Sequence, residues 1–195
     1  MPRVSQEHLD TRRRQILDAA ALCFARNGFH ATTMPEIFAE VGLSSGAVYR
    51  YFPSKQAIFE ALVDDGMRPV FDALRDAVAC EPPLTVTEII DLIHREMTTS
   101  FDTADATSLV VQFWAEAMRA PQVRDSQRAA MLDLHGVLST LLARLLPDER
   151  IGADTAWALI ALSLGAFISQ TVLRTDTPPT ATLVSELRSL LSNTS

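Results

Sequence analysis

One short span, Gly42-Leu-Ser-Ser-Gly-Ala-Val-Tyr-Arg-Tyr-Phe-Pro-Ser-Lys55, gathers both tyrosines of the chain, an arginine and its one lysine. Lys55 is the only lysine, and every other basic side chain is arginine. The span reads as a tight turn at Gly42-Leu-Ser44, a short helix carrying Tyr49, Arg50 and Tyr51, and a new helix starting at Ser54-Lys55. A helix-turn-helix DNA reader is built this way: a turn, a groove-inserting helix and donors for the flanking phosphates. The N-terminal half of such a helix faces the base edges. Here that surface is Ser44, Ser45, Gly46, Ala47 and Arg50, small residues that admit close backbone approach and one guanidinium able to fork onto guanine O6 and N7. Tyr49 and Tyr51 can donate hydroxyl hydrogen bonds to phosphates. Lys55 can place a point charge on another, helped by the free amides of its helix end, and Thr33 can do the same at the preceding helix. An ordinary helical hairpin with solvated tyrosines would carry the same residues singly. Two aromatic hydroxyls, an arginine and a lysine around one short helix favour the DNA reading.

The elements that must position these groups are all helical, because no segment sustains period-two alternation. The first helix is expected over about Asp10–Asn27, with Ile16, Ala20, Cys23 and Phe24 as its core stripe and Gly28 as a left-handed stop. Thr33-Met-Pro-Glu36 is a capping box that opens a second helix, with Met34, Ile37, Phe38 and Val41 inward. The third helix runs about Ser45–Tyr51, with Val48 and Phe52 packing on Ile37 and Val41. The fourth starts at Ser54 and runs to about Val78, with Gly66 and Pro69 predicting a kink at 65–69 or a break into two helices. A second capping box, Thr85-Val-Thr-Glu88, opens a helix to about Ser100. Helices over about Asp105–Arg119 and Pro121–Leu146 follow. Then come one capped by Asp154 and running to about Arg174, and, after Pro178-Pro179, a short one over about Ala181–Leu191. The expected division is a DNA-binding domain over 1–54 and a ligand-binding and dimerisation domain over 55–195, with the fourth helix as connector.

The chain is 195 residues long, 48% hydrophobic and carries a net charge of −7. That charge is uneven, +1 over residues 1–60 and −8 over 61–195. DNA binding therefore depends on where Arg12, Arg13, Arg14, Arg26, Arg50 and Lys55 are placed, while the acidic body keeps the protein off random DNA. Cys23 and Cys80 have no metal-ligand spacing and fit a reduced, cytoplasmic protein, with free cysteine behaving as a small buried hydrophobe. No secretory segment is visible, and the longest apolar run, Ala156–Ile168, reads as a buried helix, so no membrane association is expected.

The sequence resembles the TetR-like (tetracycline-repressor-like) regulators. The resemblance rests on Ile16-Leu-Asp-Ala-Ala through Phe24, Gly28-Phe29, Thr32-Thr33, Ile37, Gly42-Leu-Ser, Gly46-Ala-Val-Tyr49, Tyr51-Phe52 and Ser54-Lys55. A weaker echo lies in Phe113-Trp-Ala-Glu-Ala-Met-Arg-Ala-Pro121. The resemblance implies an all-helical dimer of nine or ten helices, palindromic operator binding and repression relieved by a small molecule. It maps the family's phosphate-contacting tyrosine and lysine onto Tyr49 and Lys55 and its threonine onto Thr33. Phe38 departs from the family's usual small residue, which bears on how the second helix packs on the third.

Beyond residue 80 no catalytic signature is present: there is no Gly-x-Ser-x-Gly, metal-spaced histidine pair or phosphate loop, so neither an enzyme nor a cofactor is expected. Helix bundles hold ligands in apolar cavities between helices. The expected lining is Phe71, Met97, Phe101, Phe113, Trp114, Met118, Leu134 and Trp157, with Glu96, Gln112, Glu116 and Gln170 as polar candidates and His94 as a further one. Taken singly, each of the apolar residues fits plain core better than a cavity wall. Ala158, Ala161, Gly165 and Ser169 form a small-residue stripe that, with Leu138, Leu141, Leu142 and Leu145, predicts a four-helix homodimer seam, packing within one chain being the alternative. The leading expectation is a repressor released by a small lipophilic or aromatic ligand. The alternative is a DNA-binding regulator controlled by a protein partner or acting without a ligand.

Overall fold

The computed structural model describes residues 6–101, 104–146 and 149–173. The expected last helix over about 181–191 lies outside them. Eight helices and no strand occur among the described residues: α1 Gln6–Ala31, α2 Met34–Val41, α3 Ser45–Tyr49, α4 Lys55–Val78, α5 Val86–Ser100, α6 Ala104–Ala117, α7 Pro121–Ala143 and α8 Glu149–Leu173.

Local chemistry sets most boundaries. Gly28 takes φ 76°, as its place after α1's core stripe requires, but one further turn, Phe29 to Ala31, follows it. Buried Thr32 closes that turn, its hydroxyl within hydrogen-bond reach of the carbonyls of Gly28 at 2.8 Å and Cys23 at 3.1 Å. Gly42 is left-handed at φ 68°, where a Cβ is strained, and turns α2 into α3. At the first capping box Glu36 accepts from the Thr33 amide at 2.7 Å and from its hydroxyl at 2.8 Å. Thr85 and Glu88 repeat this at α5. Asp154 lies inside α8, which begins at Glu149, so it is not the cap expected for that helix. Helix α4 is a single helix through Gly66 and Pro69, which excludes a break into two.

Apolar side chains form two cores. The first joins α1 (Ile16, Leu17, Phe24), α2 (Ile37), Val48 and Phe52, and the first half of α4 (Ile58, Phe59, Val63), and it is closed from outside by Leu109, Phe113 and Ala117 of α6. Phe59 is its hub, 5.1 Å from Phe24, stacked on Phe29 at 4.6 Å and 5.7 Å from Phe113. Such ring pairs add about 0.5–1.5 kcal/mol each beyond burial. The second core joins the far half of α4 (Val70, Leu74) with α5, α7 and α8. By packing, the first half of α4 therefore belongs with α1, α2 and α3, and the helix is shared between the two cores.

Helix α7 corrects one expectation. Leu138, Leu141 and Leu142 are buried within the protomer, so these leucines build its own core and not a seam with a second chain. The α8 stripe is different: Ala158, Ala161 and Gly165 are exposed, and a Cβ built on Gly165 meets nothing within 4 Å. By length and composition alone, Gly152–Gln170 of α8 is apolar enough to cross a membrane. Here it packs on α7, α5 and α6 and turns its small residues outward.

Candidate nucleic-acid interface and ligand cavity

Helix α3 is presented by burial behind it. Val48 is fully buried and Phe52 nearly so, which fixes the helix on the first core. Ser44 caps α3 by accepting from the Ala47 amide at 3.3 Å. Ser44, Ser45, Gly46 and Arg50 are then exposed together, with Ala47 half-buried beside them. The Arg50 amide donates to the Val48 carbonyl, while its side chain has no ion pair or hydrogen bond among the described residues, which leaves the guanidinium free. Tyr49 is half-exposed, and its ring meets Phe38 edge-on at 5.4 Å. The residue that departs from the family pattern thus braces a tyrosine expected at a phosphate. Tyr51 is half-buried and packs against the first core, which leaves it less available than Tyr49.

Other expected phosphate donors already have partners. The Lys55 ammonium donates to three main-chain carbonyls, of Phe29 at 2.6 Å, Thr32 at 2.6 Å and His30 at 3.2 Å, and lies over the Phe29 ring at 4.6 Å. Burial pulls its pKa below the usual lysine value, against the attraction of Glu116 and Glu36. A phosphate contact by Lys55 requires it to give up one of these carbonyls. In this structure the residue clamps the turn between α1 and α2. The Thr33 hydroxyl is within 2.8 Å of Glu36. Arg26 pairs with Glu40, and Arg13 is 2.8 Å from Asp65. Of the basic residues on which the DNA reading depended, Arg50 and Arg14 remain without a partner among the described residues, and Arg12 is held to Gln15.

Below the head, α4, α5, α6, α7 and α8 enclose a cavity of about 280 Å³. Phe71, Met97, Phe113, Trp114 and Leu134 line it as expected. Phe101, Met118 and Trp157 do not. The Phe101 ring lies against Gly66, where a Cβ would sit 2.5 Å from Cζ, and contacts Phe167 edge-on at 5.7 Å. Met118 is 77% exposed at the end of α6. Trp157 is 43% exposed and stacks on His135 at 4.4 Å.

None of the expected polar candidates lines this cavity. Gln112 accepts from the Phe29 amide at 2.7 Å, Glu116 lies 3.0 Å from the His30 imidazole, and Glu96 pairs with Arg95. Gln170 is half-buried on α8, and His94 is half-buried on α5, where burial lowers its pKa and keeps it neutral at pH 7. The polar groups that do line the cavity are Asp64, Arg68, Arg75, Gln127, Asp133 and Ser163. The signal for three of them was the spacing from Phe71: Asp64, Arg68, Phe71 and Arg75 recur every three or four residues on one face of α4.

The charges at the cavity edge are tied to the head. Arg68 is 2.6 Å from one Asp65 oxygen, and Arg13 of α1 is 2.8 Å from the other. The Arg13 guanidinium also lies 5.5 Å from the centre of the Phe52 ring, just beyond α3. Arg75 and Asp133 pair across the cavity rim at 2.5 Å. No group of three or more His, Cys, Asp or Glu residues able to hold a metal occurs among the described residues.

Residues 16–62 match the family described as bacterial regulatory proteins, tetR family, and residues 89–193 match the C-terminal domain of BetI-type transcriptional repressors. The HTH-type transcriptional regulator BetI of Cronobacter sakazakii is 30% identical over 177 residues, covering 84% of this chain and 85% of that one. The HTH-type transcriptional repressor Rv1474c of Mycobacterium tuberculosis is 47% identical, but over 62 residues and about a third of each chain. Among solved structures, Salmonella enterica GusR superposes with a TM-score of 0.73 at 27% identity, covering 98% of this chain and all of that one. A complex of SmeT with triclosan superposes at 0.68 with 22% identity, covering 91% of this chain and 89% of that one.

Proposed function

This chain belongs to the TetR family of bacterial transcriptional regulators, whose members bind operator DNA as dimers and answer to small molecules, and we propose that it is a repressor released by a lipophilic or aromatic ligand. The single observation that carries the DNA role is the exposed face of α3. Arg50 stands unpaired there beside Ser45 and Gly46, with Val48 and Phe52 buried behind. Arg50 reads a base, Tyr49 and the serines hold phosphates, and Lys55 and Thr33 set the turn that aims them. The outward face of α8, Ala158, Ala161 and Gly165 with half-buried Ser169 beside them, carries the dimer seam. The repressor works in the cytoplasm, on a palindromic operator. The test is titration of Arg50→Ala against cognate and scrambled duplexes. A loss of about 1–3 kcal/mol on the cognate alone supports the reading; an equal loss on both overturns it.

The cavity favours a ligand-controlled regulator over one controlled by a protein partner. It is mainly apolar and aromatic, and the Arg75–Asp133 pair at its rim neutralises itself. SmeT in its solved complex holds triclosan, and a regulator from Saccharomonospora viridis with a TM-score of 0.67 holds choline. A quaternary ammonium is the poorer fit here, because Arg75 already lies over the Phe71 ring at 5.4 Å. Ligand entry bears on Arg68 and on Phe113. Through Arg68, Asp65, Arg13 and Phe52 it reaches the end of α3, and through Phe113 and Phe59 it reaches the first core.

A further inference from the structure

The cavity alone is small for its task. At about 280 Å³ it falls at the lower edge of ligand pockets, roughly 300–1,000 Å³. A ligand larger than one ring or a short chain must continue through an opening, and two surface grooves share walls with the cavity. One shares Arg75 and Asp133 and ends among Leu132, Gly136 and Thr140. Its only charged walls are that ion pair, which satisfies itself at 2.5 Å. The other shares Trp114, Gln127 and Met131 and continues over Ala117 and Met118 to Arg124 and Arg128.

This second groove is uncompensated. Arg124 donates through Nε to the Ala117 carbonyl at 3.3 Å, and neither it nor Arg128 has a carboxylate within 4 Å among the described residues. No acidic residue lines the groove. Trp114 and Met131 make a continuous apolar wall from inside to outside, and Met118, 77% exposed, extends it to the surface.

We propose that the cavity and this groove form one site for an amphipathic anion, with its apolar part inside and its carboxylate or other anionic head held by Arg124 and Arg128. The inference rests on the cavity being the ligand site. An uncharged chain gains only the cavity, and a cationic one meets two arginines. A carboxylate adds charge-assisted, forked contacts at the outer end.

The test compares decanoate, decanol and decyltrimethylammonium on the full-length protein, read by tryptophan emission and by the rise in unfolding temperature. Decanoate should bind about tenfold or more tighter than decanol, as charge-assisted contacts require. An Arg124→Gln/Arg128→Gln double variant should bring decanoate down to decanol and leave decanol unchanged. Equal binding of decanoate and decanol, a preference for the ammonium, or a preference that survives in the double variant overturns the anion site while leaving the cavity reading in place. If none of the three binds, the cavity reading falls with it.

Discussion

Replacing Lys55 by methionine keeps the aliphatic stem over Phe29 and removes the ammonium. Two of its three hydrogen bonds, to the carbonyls of Phe29 and Thr32, are 2.6 Å long and half-buried. A charge-assisted hydrogen bond contributes about 1.5–3 kcal/mol, so these two set an upper bound of about 3–6 kcal/mol. Part of this returns, because the carbonyls are partly open and water can replace the lysine, and the third bond at 3.2 Å is exposed. The expected cost is therefore about 2–4 kcal/mol, or roughly 5–12 °C in unfolding temperature for a chain of this size. Lysine to arginine should not rescue it, since a planar fork cannot meet three converging carbonyls as an ammonium does.

The same variant separates clamp from phosphate contact. If Lys55 neutralised a phosphate in each half-site, its loss would lower the slope of log affinity against log salt by about 0.9 per half-site. As a clamp it leaves the slope intact and lowers affinity through a misplaced α2 and α3. Urea or thermal unfolding and operator titrations at several salt concentrations read the two effects. An unfolding temperature within a degree of the unmodified protein, together with a flatter salt slope, refutes the clamp.

Four further outcomes are expected. Gly66→Ala places a Cβ 2.5 Å from the Phe101 ring and should cost about 1–3 kcal/mol by overpacking, recovered in part by Phe101→Leu; an unchanged denaturation midpoint would show that the ring moves freely. Asp65→Asn should shrink the ratio of operator affinities without and with ligand severalfold while ligand affinity stays within about threefold, and an unchanged ratio removes Asp65 from the coupling path. Gly165→Arg meets open space within the protomer, so it should fold normally yet run in light scattering at the 21.4 kDa protomer mass rather than twice that; a dimer would place the seam elsewhere. Thr33 and Thr85 hold Glu36 and Glu88 below the usual 4.5, so their stabilisation is complete above about that pH and is lost as pH falls through the depressed folded values. Glu88→Gln should lessen the loss of stability on acidification, and an identical acid limb would show that the cap contributes nothing.

How much of this was legible in the sequence follows the range of the interactions. Both capping boxes and the left-handed Gly28 depend on neighbours within a few residues and are where the sequence puts them, although one further turn follows Gly28 and Tyr51 packs on the first core rather than beside Arg50. The Lys55 clamp joins positions 25 or so apart, and only the fold shows that its ammonium points back at the α1–α2 turn. Apolar periodicity found α5, α6, α7 and α8 but could not say what each apolar face meets. Leu138, Leu141 and Leu142 would look the same against α8 or against a second chain. The charged wall of the cavity was missed for a related reason: Asp64, Arg68 and Arg75 on a helix read as a solvated face, and their spacing from Phe71 becomes meaningful only once α7 is opposite.

Two of the helices that wall the cavity, α4 and α6, also hold the N-terminal helices. Helix α4 supplies Arg68 and Phe71 to the cavity and Lys55 to the α1–α2 turn; α6 supplies Phe113 and Trp114 to the cavity and Gln112 to the same turn, through the Phe29 amide. Phe29 is thus gripped from both sides, its amide by α6 and its carbonyl by α4. A ligand that moves α4 and α6 together carries the turn as a rigid body and changes little about α3. A ligand that spreads them must strain one grip, and the turn it disturbs leads straight into α2 and the reading helix. Phe113 and Trp114 of α6 line the same cavity as Arg68 and Phe71 of α4, so a ligand that fills it bears on both helices. Release of DNA should therefore track how far a ligand spreads α4 from α6 rather than how tightly it binds.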